Sequence, residues 1–217
     1  MYGDNFYLMI PKIIGTVVMT FLLASVSSLS LSSARELNNV VSLQNGERIL
    51  VSNNENKTSN CRVTVFDTRS AFTAGHCGDV GSVVFNEKGE VLGSVVDNFL
   101  QNGNGVDAAR ISLKENIRAI PLNKGQEYKV QQGHNFLAIL SPNTFEPGIW
   151  EKENLIQKSM SLPKWKNIRV TVAVSNLRAE PGDSGAPVVN EDHEIIGMIQ
   201  GGNLKNQVNV TLFQSMP

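Results

Sequence analysis

Past position 40 the apolar residues of this chain alternate with polar ones in short runs instead of recurring every three or four positions. Such runs occur at Arg62 to Phe66, Ser70 to Ala74, Ser82 to Phe85, Val91 to Val96 and Val106 to Leu113. They resume at Asn135 to Leu140, Ile168 to Val174, Ala186 to Val189, Glu194 to Ile199 and Val208 to Phe213. A period of two places successive side chains on opposite faces, so each run predicts a strand. Turn-forming clusters such as Asn86-Glu-Lys-Gly89 and Asn102-Gly-Asn-Gly105 separate them. Many short strands at this spacing, with no sustained helical period, predict an all-β barrel or sandwich. The stretch from Thr144 to Lys166 is less regular and reads as surface loop with two packed aromatics, Trp150 and Trp165.

The first residues follow another pattern. Ile13 to Val26 is an uncharged apolar run of 14 residues, preceded by Lys12 and followed by small residues. It is too short for a comfortable membrane span of about 20 residues and has the shape of a secretory signal. Residues 1–34 are therefore expected to be a signal peptide, cut after Ser32-Ser33-Ala34 to leave Arg35 first, with an uncleaved anchor as the alternative. The remainder is long enough to bury a core without metal or many cross-links. Hydrophobic residues make up 41% of the chain and charged residues 18%, which fits a globular protein. A formal net charge of −1 and no basic run give no reason to expect nucleic acid or an anionic membrane as partner. Two cysteines, Cys61 and Cys77, form an even pair in a chain bound for an oxidising compartment.

Two segments carry the candidate chemistry: Thr73-Ala-Gly-His-Cys77 and Pro181-Gly-Asp-Ser-Gly-Ala-Pro187. A serine hydroxyl is a poor nucleophile near neutral pH; it needs a base within hydrogen-bond reach and an acid to orient that base. His76 and Ser184 can fill the first two roles. Gly182 lets the backbone turn sharply, so that its N–H and that of Ser184 can point at one spot, an oxyanion hole. His134 and His193 sit in sequences that read as exposed turns.

Both segments resemble the catalytic signatures of the chymotrypsin-like (trypsin-like) serine proteases, and are most similar to the bacterial, streptogrisin-like branch. The likeness extends to Ala179-Glu180-Pro181 before the serine, to Cys61 placed 16 residues before Cys77, and to Gly201-Gly202 after it. It implies two six-stranded antiparallel β-barrels, one in residues 35–122 carrying the histidine and the acid, the other in residues 123–217 carrying the serine. The break falls near Asn123-Lys-Gly-Gln-Glu127 and the site in the cleft between the barrels. The family order of histidine, aspartate, serine makes Asp107 the third member; it opens an apolar strand 31 residues after His76. Asp97 is the rival, but it lies closer to His76 than the resemblance suggests, and Asn98 beside it reads as a turn.

The resemblance also implies a disulfide between Cys61 and Cys77, no metal or cofactor, and protein or peptide substrates; with the N-terminal signal, a secreted monomer is expected. Gly201 and Gly202 would form one wall of the primary specificity pocket, with a plain hairpin turn as the alternative reading, and its base would come from around Asn176 and Leu177. No aspartate stands there, which predicts cleavage after apolar or uncharged residues. The alternative is a catalytically inactive, secreted pseudoprotease that serves as a binding module. Three departures bear on this. Arg178 replaces a cysteine whose bridge would brace the serine loop, leaving it looser or held by Arg178 pairing with a carboxylate. Gln200 stands where a serine would hydrogen-bond the catalytic acid. The stretch before Asn60 lacks the Ile-Val-Gly-Gly start of many zymogens, so Asp183 is expected to be held by an internal side chain such as an arginine.

Overall fold

The computed structural model describes residues 40–52, 57–125, 128–161, 167–202 and 207–215. The expected signal peptide and Trp165 lie outside these residues. Among the described residues sixteen strands follow one another. The first nine are β1 (Val41–Gln44), β2 (Arg48–Ser52), β3 (Thr58–Arg62), β4 (Thr64–Val65), β5 (Ser70–Thr73), β6 (Val83–Asn86), β7 (Val91–Asn98), β8 (Ala109–Leu113) and β9 (Ile117–Ile120). The others are β10 (Asn135–Ser141), β11 (Thr144–Ile149), β12 (Ile156–Met160), β13 (Ile168–Ser175), β14 (Pro187–Val189), β15 (Ile195–Gly202) and β16 (Val208–Leu212).

Fourteen of the strands form two antiparallel sheets of seven, in the orders β3-β2-β6-β7-β8-β5-β4 and β11-β10-β14-β15-β16-β13-β12. The first sheet closes on itself, because its two edge strands, β3 and β4, are separated in the chain by Val63 alone. Taking them as one interrupted strand leaves six around the ring, the architecture the resemblance implies. In the second sheet Trp150, just past the edge strand β11, bridges to Ser175 at the end of β13, so that β11 and β13 close a ring of six strands and β12 stays outside it, paired with β13 alone. Closure removes the unpaired edges an open sheet would present. A short parallel pair, β1 with β9, stands apart from both sheets.

Alternation explains the burial. Along β8 the residues read buried, exposed, buried, exposed, buried, and the inward set joins Ile49, Val51, Val84, Leu92 and Val95 in one core. A second core gathers Phe136, Trp150, Leu177, Val188, Ile199 and Val210. Trp150 is fully buried, stacked on Phe136 at 4.1 Å between ring centroids, and its indole N–H donates to the Tyr128 hydroxyl at 3.0 Å. The stretch expected as loop after Thr144 contains β11 and β12 instead. Pro147, Gly148 and an outward Phe145 break the apolar alternation of β11, and pairing with β10 imposes the strand. Between the sheets, Phe72, Val106 and Ala108 of the first pack with Met198 and Phe213 of the second.

Candidate active site

The site is assembled where these sheets meet. After β5 the chain makes one 3-10 turn, Gly75–Cys77, placing His76 at its centre. A disulfide ties Cys77 to Cys61 on β3, as the resemblance implied. Asp107, two residues before β8, has no solvent exposure. Its Oδ1 accepts the backbone N–H of His76 at 2.8 Å and its Oδ2 lies 2.8 Å from Nδ1 of the same residue. A carboxylate oxygen there keeps the ring proton on Nδ1 and leaves Nε2 as an acceptor. Nε2 lies 3.1 Å from the Ser184 hydroxyl.

Two influences oppose each other at His76. Burial, the larger single one, works against the charged ring, but the negative charge of Asp107 and its hydrogen bond together outweigh it. The imidazole is therefore more basic than an ordinary histidine.

The serine loop is two consecutive β-turns. The first spans Glu180 to Asp183, closed by the Asp183 N–H on the Glu180 carbonyl at 3.0 Å, with Pro181 second and Gly182 third. A φ of 103° at Gly182 is left-handed backbone, which the third position of a type II turn demands. The second turn spans Asp183 to Ala186, with Gly185 third at φ 90°. Among the described residues the N–H groups of Gly182 and Ser184 meet no acceptor, as an oxyanion hole requires. The Ser184 hydroxyl also lies 3.1 Å from the Gln200 carbonyl.

What holds this loop comes from the other sheet. Arg62 Nε donates to Asp183 Oδ1 at 2.8 Å, and Nη1 donates to the Gly46 carbonyl at 2.9 Å. The second oxygen of Asp183 accepts the Glu180 N–H at 2.8 Å. Arg62, not the exposed Arg178, thus supplies the internal arginine. The Arg62 N–H also donates to the Ser184 carbonyl at 2.8 Å, and Thr64 Oγ1 to that of Gly185 at 2.9 Å.

The remaining predicted residues are placed as follows. Asp97 accepts from the Asn102 side chain at 2.9 Å; Asp107 alone of the two contacts His76 among the described residues. His134 and His193 are exposed in turns. Asn176 is exposed past β13 and exchanges bonds with the backbone of Ile149, beside an open groove lined also by Glu151 and Gln207. Leu177 is 1% exposed and belongs to the second core. Gly201 has open space where a side chain would begin, and Gly202 pairs with Val208. Gln200 turns its amide to the Met160 sulfur at 2.8 Å, and its Oε1 is buried without a partner among the described residues. No group of three or more metal-ligating side chains occurs among the described residues. Sequence reasoning missed Arg62 and Asn98. The only local hint was the position of Arg62 directly after Cys61.

A closed antiparallel pair of sheets with a histidine turn on one and a serine loop on the other defines a chymotrypsin-like serine protease. The family profile described as Trypsin matches residues 38–215, and the chain belongs to that family. No curated protein matches the sequence. Among solved structures the chain is similar to the Nocardiopsis protease, with 20% identity, a TM-score of 0.58, and 79% of this chain and 92% of that one covered. Thermobifida fusca protease A gives 17%, 0.58, 79% and 91%, and Cellulomonas bogoriensis chymotrypsin 17%, 0.58, 79% and 90%. At these identities the likeness is one of fold.

Proposed function

We propose that the protein is a secreted serine endopeptidase working through an acyl-enzyme on Ser184. The observation that carries this reading is the continuous chain from Asp107 through His76 to Ser184, at 2.8 and 3.1 Å. His76 Nε2 takes the hydroxyl proton as Ser184 Oγ attacks the scissile carbonyl. Asp107 orients the ring and offsets the charge it gains. The N–H groups of Gly182 and Ser184 receive the developing oxyanion, at about 3 kcal/mol per donor. His76 then protonates the leaving amine, and the steps repeat with water. No metal or cofactor enters.

The Arg62–Asp183 pair supports a site formed without cleavage of a pro-segment, since the serine loop already has its internal partner. Residues 1–34 as a signal peptide, and the Cys61–Cys77 disulfide, support an extracellular location. Asn176, Gly201 and Gly202 would line the primary pocket, with Leu177 behind them in the core; the absence of a carboxylate from this set favours cleavage after apolar or uncharged residues.

The test is labelling of the secreted protein with a fluorophosphonate, beside Ser184→Ala, followed by a peptide library. Labelling of the parent alone, with peptide cleavage, is expected. A folded parent that takes no label would reassign the protein as a pseudoprotease acting as a binding module.

A further inference from the structure

The 3-10 turn that carries His76 is three residues long, so most of its carbonyls have no partner inside the helix. One of them, and the carbonyl of the residue that follows the turn, are satisfied by a single side chain. Asn98, the last residue of β7 and fully buried, donates from Nδ2 to the Gly75 carbonyl at 2.8 Å and to the Gly78 carbonyl at 2.8 Å. Those two carbonyls bracket His76 and Cys77. At its other end Asn98 Oδ1 accepts the N–H groups of Leu100 at 3.0 Å and Gln101 at 3.1 Å. Both amide hydrogens are used, and the acceptor oxygen is anchored in its own chain. The orientation is fixed, because a reversed amide would set N–H against N–H and carbonyl against carbonyl.

Asn98 pairs in register with Ala109, two residues beyond Asp107. The two side chains therefore rise from neighbouring strand ends and grip the turn from two sides. They come so close that a Cβ on Gly75 would lie 3.0 Å from Asn98 Oδ1 and 3.0 Å from Asp107 Oδ1. Asp107 holds the ring and one backbone N–H; nothing in that contact sets the tilt of the turn as a whole. The two bonds from Asn98 do, beside the disulfide that ties Cys77 to β3. An aspartate has no donors to offer these carbonyls, and a glutamine is one methylene too long for the space.

We propose that Asn98 is a positioning residue: its amide clamps the ends of the His76 turn, and so keeps Nδ1 on Asp107 while Nε2 faces the Ser184 hydroxyl. This rests on the serine-nucleophile reading above. A shift of the imidazole by about 1 Å costs on the order of 100-fold in rate without altering substrate contacts.

The experiment compares the parent with Asn98→Ala and Asn98→Asp, each counted by exhaustive fluorophosphonate titration so that rates refer to folded sites. Asn45→Ala serves as control, since Asn45 is also a buried amide that bonds the backbone at Val65 and Ile120, away from His76. The expected result is a kcat lower by about 100-fold for both Asn98 variants with KM little changed. The low-field proton resonance of the His76 Nδ1–H should move or vanish in both variants. Asn45→Ala should lose thermal stability and keep the parent's kcat and resonance. The inference is overturned if titrated Asn98→Ala turns over like the parent. It is equally overturned if Asn45→Ala loses as much kcat, or if both Asn98 variants fail to fold while the control folds, which would make Asn98 a folding element. A parent that takes no label at all would sink the protease reading itself, and is told apart by that.

Discussion

Arg62 and Asp183 lie 121 positions apart and form an ion pair at 2.8 Å in which the side chains are 9% and 7% exposed. One belongs to the end of β3 in the first sheet and the other to the residue before Ser184, so the pair joins the two halves at the serine loop. Removing one partner of a buried pair leaves the other charge unpaired, at a cost of about 3–5 kcal/mol. Arg62→Ala should lower the urea midpoint accordingly. It should also release the Glu180–Asp183 turn, so that fluorophosphonate labelling of the remaining folded protein slows by at least about tenfold, as expected for a lost oxyanion donor. Labelling at the parent's rate would show that the turn stands without the pair. A secreted form that gains activity only after an N-terminal cut would contradict a site formed without activation.

The raised basicity of His76 fixes the direction of the pH dependence. A general base must be neutral, so kcat/KM should fall on the acid side of a value above that of an ordinary histidine, about 6.5. Asp107→Asn removes the charge that raises it. The acid limb should then move to lower pH while kcat drops by about 10⁴-fold, because the ring loses its fixed tautomer. For stability the sign is opposite to that for activity. A histidine whose folded value is raised contributes most below its unfolded value, and that contribution is lost as pH rises through the folded one. Rate profiles of parent and variant between pH 5 and 9 check the position of the acid limb; an unchanged acid limb in Asp107→Asn would count against the coupling.

Gly182 separates conformation from space. The nearest atom to a side chain there would be the Asn60 carbonyl at 3.8 Å, so a methyl group fits, but a φ of 103° is strained for any L residue. Gly182→Ala should relax the peptide and turn its N–H away from the oxyanion. We expect kcat lower by about 10²–10³-fold with KM nearly constant and a small change in melting temperature. Steady-state kinetics on a peptide anilide decide this; a rise in KM with kcat intact would place Gly182 in substrate binding instead.

The Cys61–Cys77 bridge closes a loop of 16 residues next to His76. Replacing both cysteines by serine should cost about 3 kcal/mol on the chain-entropy account. It should also slow labelling of Ser184, because Cys77 is the last residue of the histidine turn. Calorimetry and labelling rates measure the two effects separately, and equal rates in parent and variant would confine the disulfide to stability.

Much of this protein was legible along the chain. The strands from Val91, Ala109, Ile168, Pro187, Ile195 and Val208 follow short apolar runs, alternating as in β8 or continuous as in β14, and Pro181-Gly182 announces its turn, because both signals depend on neighbours one or two residues away. The strands β11 and β12 did not announce themselves. Their outward faces are exposed and β11 carries Pro147, so their structure is imposed by the partners β10 and β13. The triad was readable as residue types in order, since His76 and Ser184 sit in short local motifs and Asp107 opens a strand.

What the sequence by itself determined was local: which segments are strands, where glycine permits a turn, and which side chains can exchange a proton. The tertiary structure alone decided who meets whom. Arg62 became the partner of Asp183 and Asn98 the clamp of the His76 turn because closure of the first sheet and its docking on the second bring those positions together. A buried polar side chain takes whichever donor or acceptor that closure delivers, and no spacing along the chain records the delivery.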